Sequence, residues 1–253
     1  MDKKLVIIGA GWLGEALAQT AIAQGWQVQA THRELGTQAH ERQFALQEDG
    51  TLLHNVSLTD AYWVCAMSPG ARRQPSNYQQ SLEHALALYQ QLHGKGFVLC
   101  SSTGIYDQQS GQYDEHSPLG LVTARQQRLA AAEQVALASG AKVLRLGGLI
   151  GPQREPGRFV AGKILSSHAE DVVNMVQRDD VIAGILALIE NYPKAQPVYN
   201  LVHPRHPSKL EYYQAHCQRQ GTQVPEFSAE QPVARVIDGS AIEALGFTYS
   251  LDI

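Results

Sequence analysis

Four apolar residues, Leu5, Val6, Ile7 and Ile8, stand in an unbroken run near the start of the chain. A branched, non-alternating run of this kind reads as a strand covered on both faces. The period then changes. Ala16, Leu17, Ala21 and Ile22 recur at helical spacing up to Gly25, a residue suited to stopping a helix. A second strand is expected over residues 26–31, and further apolar runs cover 61–70 ("AYWVCAMSPG"), 97–100 and 143–146. Helical patterns lie between them, over 78–92, with Leu82, Leu86 and Tyr89 on one face, and over about 123–138. Strands alternating with helices predict an α/β fold with a doubly wound parallel sheet, Rossmann-like.

After Gly151 the texture changes. "GPQREPGRFVAGKI" reads as loop and short helix, "DDVIAGILALIENY" as an apolar helix, "PVYNLVH" as a short strand, "SKLEYYQAHCQRQG" as a helix and "SAIEALGF" as a short one. No long polar linker or internal repeat interrupts the chain. The expected organisation is a dinucleotide-binding core over residues 1–150, then a mixed region over 151–253 that adds a last core element and a small substrate-binding lobe.

Between the first strand and the first helix stand Gly9, Gly11 and Gly14, spaced G-x-G-x-x-G. Gly9 permits the tight turn, Gly11 leaves room for a pyrophosphate, and Gly14 lets the helix pack close to the strand. Trp12 and Leu13 open the helix, whose first backbone N–H groups would meet the phosphates. The strand–turn–helix context is what this motif needs to read as a dinucleotide site. At the end of the second strand the sequence is "ATHRELG". Arg33 suits the 2′-phosphate of NADP by paired hydrogen bonds. The plain alternative is a solvated surface arginine, and NAD stays open as cofactor. Met67, Ser68 and Pro69, at the carboxyl end of the next strand, would border the cofactor.

Composition excludes several classes. Among 253 residues, 24 acidic and 20 basic side chains are dispersed, giving a formal charge of -4 with no basic block for nucleic acid. No apolar stretch reaches membrane-spanning length. The N-terminal apolar run goes straight into a glycine turn, unlike a signal peptide. Cys65, Cys100 and Cys217 are scattered and odd in number, as free thiols in a reducing compartment would be. A soluble, cytoplasmic protein is therefore expected. His203 and His206 have no third ligand nearby, and His32 and His40 sit in separate local contexts, so no metal site is expected. No serine occupies a G-x-S-x-G elbow.

One stretch, "VLCSSTGIYD" (98–107), puts hydroxyls at the end of a hydrophobic strand. Either it forms a catalytic rim, or it is a strand end finding its turn. Here a family likeness enters. The chain resembles the extended short-chain dehydrogenases/reductases, in particular the NAD(P)-dependent nucleotide-sugar epimerase/dehydratase group. The likeness rests on "IIGAGWLG", "SSTGIYD", "DEHSP", "AAAEQ", "LRLGGLIGPQR" and "RDDVIAGIL", in that order along nearly the whole chain.

The resemblance implies an oxidoreductase or isomerase with an NAD(P) cofactor and a small nucleotide-sugar or other hydroxyl/carbonyl substrate. It implies a role for Ser102, four residues before Tyr106, in holding the substrate oxygen. Thr103 is the neighbouring candidate, although a persisting strand would turn Ser101 and Thr103 away from Ser102. It also implies a Tyr followed four residues later by Lys on the helix ending in "AAAEQ". Here those places fall at Arg125 and Leu129, or one residue earlier at Ala124 and Arg128. An arginine stays protonated and is no acid–base near neutral pH, though it can hold a phosphate, a carboxylate or a ribose.

Tyr106 and then Tyr113 are the candidate substitutes for the missing tyrosine. Arg125 and Arg154 are candidate substrate-binding cations, and Arg154 has a surface-loop reading beside it. Arg145, inside a strand, is expected to be structural, and Asp179 or Asp180 to cap the following helix. A homodimer through surface helices is common in such relatives. Two readings stay open: a redox-linked enzyme with unusual groups, or a cofactor-binding regulatory or structural protein without turnover.

Overall fold

The computed structural model describes residues 3–69 and 77–253. In chain order the elements are β1 (Lys4–Ile8), α1 (Trp12–Ala23), β2 (Gln27–His32), β3 (Glu41–Leu46), β4 (Leu52–His54), β5 (Tyr62–Cys65), α2 (Tyr78–Gln91) and β6 (Gly96–Ser102). There follow β7 (Gly111–Tyr113), α3 (Ala124–Ala138), β8 (Lys142–Leu146), β9 (Gly148–Ile150), α4 (Pro156–Val160), β10 (Ile164–Leu165), β11 (Met175–Gln177) and α5 (Arg178–Glu190). The chain ends with β12 (Val198–Leu201), α6 (Lys209–Gln220), β13 (Glu226–Phe227) and β14 (Arg235–Ile237).

The main sheet runs β12-β8-β6-β5-β1-β2-β3-β4. Pairing is parallel from β6 through β5, β1 and β2 to β3, and the edge hairpin β3–β4 is antiparallel. This is the expected doubly wound sheet. The continuous apolar run of β1 has its reason here, because Leu5, Val6, Ile7 and Ile8 are all fully buried. The expected glycine stop also forms: Gly25 takes a φ of 79°, and its N–H reaches Ile22 O at 2.9 Å. Gly70, which closes the expected strand-turn at 61–70, lies outside the described residues.

The chain divides into two compact units. The first comprises Met1–Ser101, Leu121–Leu144 and Ile185–Val198. Its core packs Val6, Ile8, Trp63 and Cys65 with Leu82 and Leu86 of α2, Phe97 and Leu99 of β6, and Ala132 and Ala136 of α3. The second comprises Ser102–Gly120, Arg145–Gly184 and Tyr199–Ile253. It is built from short parallel pairs, β7 with β14, β9 with β11 and β10 with β13, and from a core of Ile150, Val160, Val173, Tyr212, Tyr213 and Cys217.

Helix α5 begins at Arg178, and the expected cap takes another role. Asp180 is buried, and its carboxylate accepts from Ser250 N–H at 3.1 Å, Ser250 Oγ at 2.9 Å and Leu251 N–H at 3.2 Å. It holds the C-terminal segment. Asp179 is paired with Arg178 at 3.0 Å instead.

Candidate functional site

The turn after β1 has a shape that its glycines dictate. Gly9 adopts a φ of +91°, and a Cβ there would fall 2.9 Å from Met67 Cγ. A Cβ on Gly14 would fall 2.4 Å from Gly9 O, closer than any side chain permits. Gly11 differs from both. It is exposed, its φ is -86°, and a Cβ on it would meet nothing within 4 Å among the described residues. The first two glycines are thus demanded by the protein itself. No neighbour among the described residues demands a glycine at Gly11.

Gly11 is also the N-cap of α1, and no side chain caps that end. By contrast, α3 and α6 close theirs with complete capping boxes, Thr123 with Gln126 and Ser208 with Glu211. The first-turn N–H groups of a helix have no intrahelical acceptor, so this end suits an anion. Trp12 is half-buried and Leu13 buried, so these residues offer backbone here. Thr31 fixes the turn from beneath: Gly9 N–H donates to its Oγ1 at 3.0 Å and Ala10 N–H to its carbonyl at 2.8 Å. Sequence reasoning missed this residue, although a hydroxyl in an otherwise buried strand end was the available signal.

The remaining cofactor candidates border the same unit. Met67 is half-buried against Gly9, Ser68 is exposed and Pro69 half-buried. Arg33 is exposed just beyond β2, with its carbonyl bonded by the Gln43 side-chain amide at 3.2 Å. Its neighbour in the chain, His32, stands near carboxylates that the sequence reading passed over. Glu15 of α1 and Glu41 of β3 both stand within 4 Å of His32.

The hydroxyl cluster at the end of β6 divides three ways. Ser101 Oγ donates to the buried Glu133 carboxylate at 2.5 Å. Thr103, placed by the sequence among the substrate groups, is buried, and its hydroxyl donates to Leu146 O at 3.3 Å. That hydroxyl is committed to the backbone. Ser102 alone is half-exposed, and its Oγ accepts Gly104 N–H at 3.1 Å, capping a short 3-10 turn over Thr103–Ile105. It ends the strand and still shows a hydroxyl.

Tyr106 departs from the expectation of a cleft-facing acid. It has no exposed surface, and its hydroxyl lies 2.8 Å from Asn200 Oδ1 and 2.8 Å from Arg145 Nη1. Burial pushes its pKa up, with Arg145 pulling the other way. Tyr113 is half-buried, and its hydroxyl donates to Gln109 O at 3.1 Å, within its own loop. Arg145 is buried and structural, as expected. Arg154 is exposed in a tight turn closed by its N–H on Gly151 O at 2.9 Å.

On α3, Arg125 is exposed. Arg128 is half-buried, and its Nε is shielded from water with no hydrogen-bond partner among the described residues. Leu129 faces the core. Of the two registers the resemblance allows for a lysine, only the one at Arg128 therefore presents a polar group at the surface.

The second unit carries an open cleft of about 280 Å³ lined by Gln112, Pro204, His206, Val236, Asp238 and Gly239. His206 Nδ1 lies 3.1 Å from Val173 O, so that nitrogen carries the proton. Among the described residues no cluster of His, Cys, Asp or Glu could hold a metal ion, and no helix is long and apolar enough to cross a membrane.

The sheet order and the glycine turn define the class: a Rossmann-like α/β protein. Within it, the chain belongs to the family of Protein YeeZ of Escherichia coli strain K12, being 31% identical over 264 aligned positions that cover 98% of this chain and 96% of that protein. No family model matches. Among solved structures the fold is shared with MoeE5 in complex with UDP-glucose and NAD, at TM-score 0.80 and 16% identity over 99% of this chain and 94% of that one. It is likewise shared with UDP-glucuronic acid 4-epimerase from Bacillus cereus in complex with NAD, at TM-score 0.79 and 16% identity over 98% and 92%. A functionally unknown conserved protein from Silicibacter pomeroyi aligns at TM-score 0.72 and 19% identity over 96% and 92%.

Proposed function

We propose that this protein binds NAD(P) on the β1–α1 turn and acts, as an oxidoreductase or an epimerase/dehydratase, on a nucleotide-sugar or similar hydroxyl/carbonyl substrate. The observation that carries this reading is Gly11, which nothing among the described residues requires to be glycine. The ligands bound by the structural relative MoeE5, UDP-glucose or UDP-glucuronic acid with NAD, support the substrate class.

In this reading residues 1–150 form the dinucleotide-binding core, and 151–253 supply a last core element and the substrate lobe. Gly9, Gly11 and Gly14 shape the phosphate site, and the backbone of Trp12 and Leu13 meets the pyrophosphate. Met67, Ser68 and Pro69 border the cofactor. Arg128 stands where one of the two registers of the resemblance puts a lysine, and its Nε, without a hydrogen-bond partner among the described residues, fits a ribose hydroxyl. A bound nicotinamide supplies hydride transfer.

Ser102 donates its O–H to the reacting oxygen, since one of its lone pairs already accepts Gly104 N–H. Arg125 and Arg154 would meet a substrate phosphate from exposed positions. The cleft at Gln112, His206 and Asp238 offers an amide, an imidazole and a carboxylate, all of which bond sugar hydroxyls. A cytoplasmic homodimer completes the reading.

A second reading, dinucleotide binding without turnover, is favoured by one specific observation. Tyr106 is locked in the interior, and α3 carries Arg125 and Leu129, or Ala124 and Arg128, where the resemblance puts tyrosine and lysine.

The test is titration of the purified protein with NADH and NADPH, followed by nicotinamide fluorescence, beside Gly11→Val. Binding that this substitution abolishes supports the site. Binding retained in Gly11→Val removes it. Conversion of UDP-hexoses by the cofactor-loaded protein then separates the enzyme from the non-catalytic reading.

A further inference from the structure

Four titratable side chains meet around a gap at the carboxyl end of β2. Glu15 comes from the first turn of α1, His32 from the last position of β2, His40 from the turn before β3, and Glu41 from the first position of β3. His32 Nε2 lies 3.9 Å from Glu15 Oε2 and 3.7 Å from Glu41 Oε1, and His40 Nε2 lies 3.8 Å from Glu15 Oε1. None of these is a hydrogen-bond distance. Glu15 Oε2, His32 Nε2 and His40 Nε2 are each shielded from water without a hydrogen-bond partner among the described residues.

The carboxylates are themselves held in place. Gln19 Nε2 donates to Glu15 Oε1 at 2.8 Å, and Gln38 N–H donates to Glu41 Oε2 at 2.8 Å. The Gln38 N–H keeps the Glu41 carboxyl below its ordinary range, with the imidazoles of His32 and His40 adding to the effect. Arg42 spends its guanidinium on the carbonyls of Ala39 and Glu41 at 2.9 and 2.7 Å, while Glu34 is exposed on the loop beside Arg33.

Shielded polar atoms without partners are costly and call for an explanation. Protonating the imidazoles turns each gap into an ion pair, and histidine is the side chain that changes charge between pH 5 and 8. The location supplies the function, because a Rossmann sheet reads the adenosine ribose at this strand end.

We propose that Glu15, Glu41, His32 and His40 together set the choice between NAD and NADP, and that the choice depends on pH. With neutral imidazoles the two carboxylates outweigh Arg33 and disfavour a 2′-phosphate over a 2′-hydroxyl. With both imidazoles protonated the local charge reverses sign, and Arg33 can hold the phosphate. This rests on the dinucleotide reading above, and replaces a fixed preference set by Arg33 alone.

The experiment measures dissociation constants of NADH and NADPH at pH 6.5 and 8.5. It uses the wild type, the His32→Gln/His40→Gln double variant and Glu15→Gln. The ligand's own 2′-phosphate loses its second proton near pH 6, so its charge changes little across this range. NADPH is expected to bind about tenfold more tightly at the lower pH, with NADH nearly constant. The double variant should lose that difference, and Glu15→Gln should tighten NADPH binding at pH 8.5. Wild-type NADPH binding that is flat with pH while NADH binds, or a pH difference that survives in the double variant, overturns the proposal. Failure of both dinucleotides at both pH values removes the cofactor reading itself, and this one with it.

Discussion

The guanidinium of Arg145 lies 5.0 Å over the ring of Tyr106 and donates to its hydroxyl at 2.8 Å. The pair is buried, and Asn200 Oδ1 completes it. Asn200 is tied in turn to Glu115, whose Oε1 accepts its backbone N–H at 2.6 Å. A phenol held this way braces the second unit and is in no position to shuttle protons.

Tyr106→Phe is therefore expected to lower stability by about 1–3 kcal/mol, because Arg145 and Asn200 lose a partner in the interior. Urea unfolding measures this. Any turnover should persist in the folded variant, and a loss of kcat by a hundredfold or more would restore Tyr106 as an acid–base group.

Gly11 and Gly14 should respond oppositely to a larger residue. Gly11→Val leaves the fold intact and abolishes dinucleotide binding. Gly14→Val forces α1 away from Gly9 O, and the melting temperature should fall well below that of Gly11→Val. Thermal melts of the two variants, set beside NADH titrations, check both halves.

Asp180→Ala should release the C-terminal segment. The carboxylate gathers two backbone N–H groups and one hydroxyl from Ser250 and Leu251, and its removal strands the N–H groups in part-buried positions. About 2–3 kcal/mol is at stake, and limited proteolysis should clip near residue 250 sooner than in the wild type.

Acid should act partly through His216. Burial, with Arg219 adding to it, lowers its pKa from 6.5 to about 4. The folded state thus holds the neutral ring while the unfolded chain takes up a proton. Stability is fully present above pH 6.5 and is lost as pH falls toward about 4. On the order of 2 kcal/mol is involved, allowing for partial solvent screening. In His216→Gln the slope of unfolding free energy against pH should flatten over that window.

What could be read in the sequence was local. The β1–turn–α1 unit announced itself because one change of hydrophobic period and three glycines fall within a dozen residues. The hairpin β3–β4 gave no such sign. It is a sheet edge whose strands bury little besides Phe44, so polar residues are tolerated almost throughout. The pairs β7–β14 and β9–β11 join segments distant in sequence, and three-residue strands carry no readable alternation.

The site divides the same way. Ser102 was legible from its place at a strand end. The partner that takes Tyr106 out of contention, Asn200, lies 94 residues away. His32 and His40 could be counted in the sequence, but not their convergence on Glu15, which the helix supplies from another element.

Tyr192 has a consequence for how the molecule is made. Its hydroxyl receives Phe97 N–H at 3.0 Å at the start of β6 and lies 3.2 Å from Gly140 O. A Cβ on Gly96 would strike its ring at 2.7 Å. The first unit is thus closed by residues Ile185–Val198, which leave the ribosome only after Arg145–Gly184 of the second unit. A nascent chain must keep the β6 side of its sheet unfinished through most of its synthesis. Chains stalled before residue 185 should be chaperone clients even though their first hundred residues are already out.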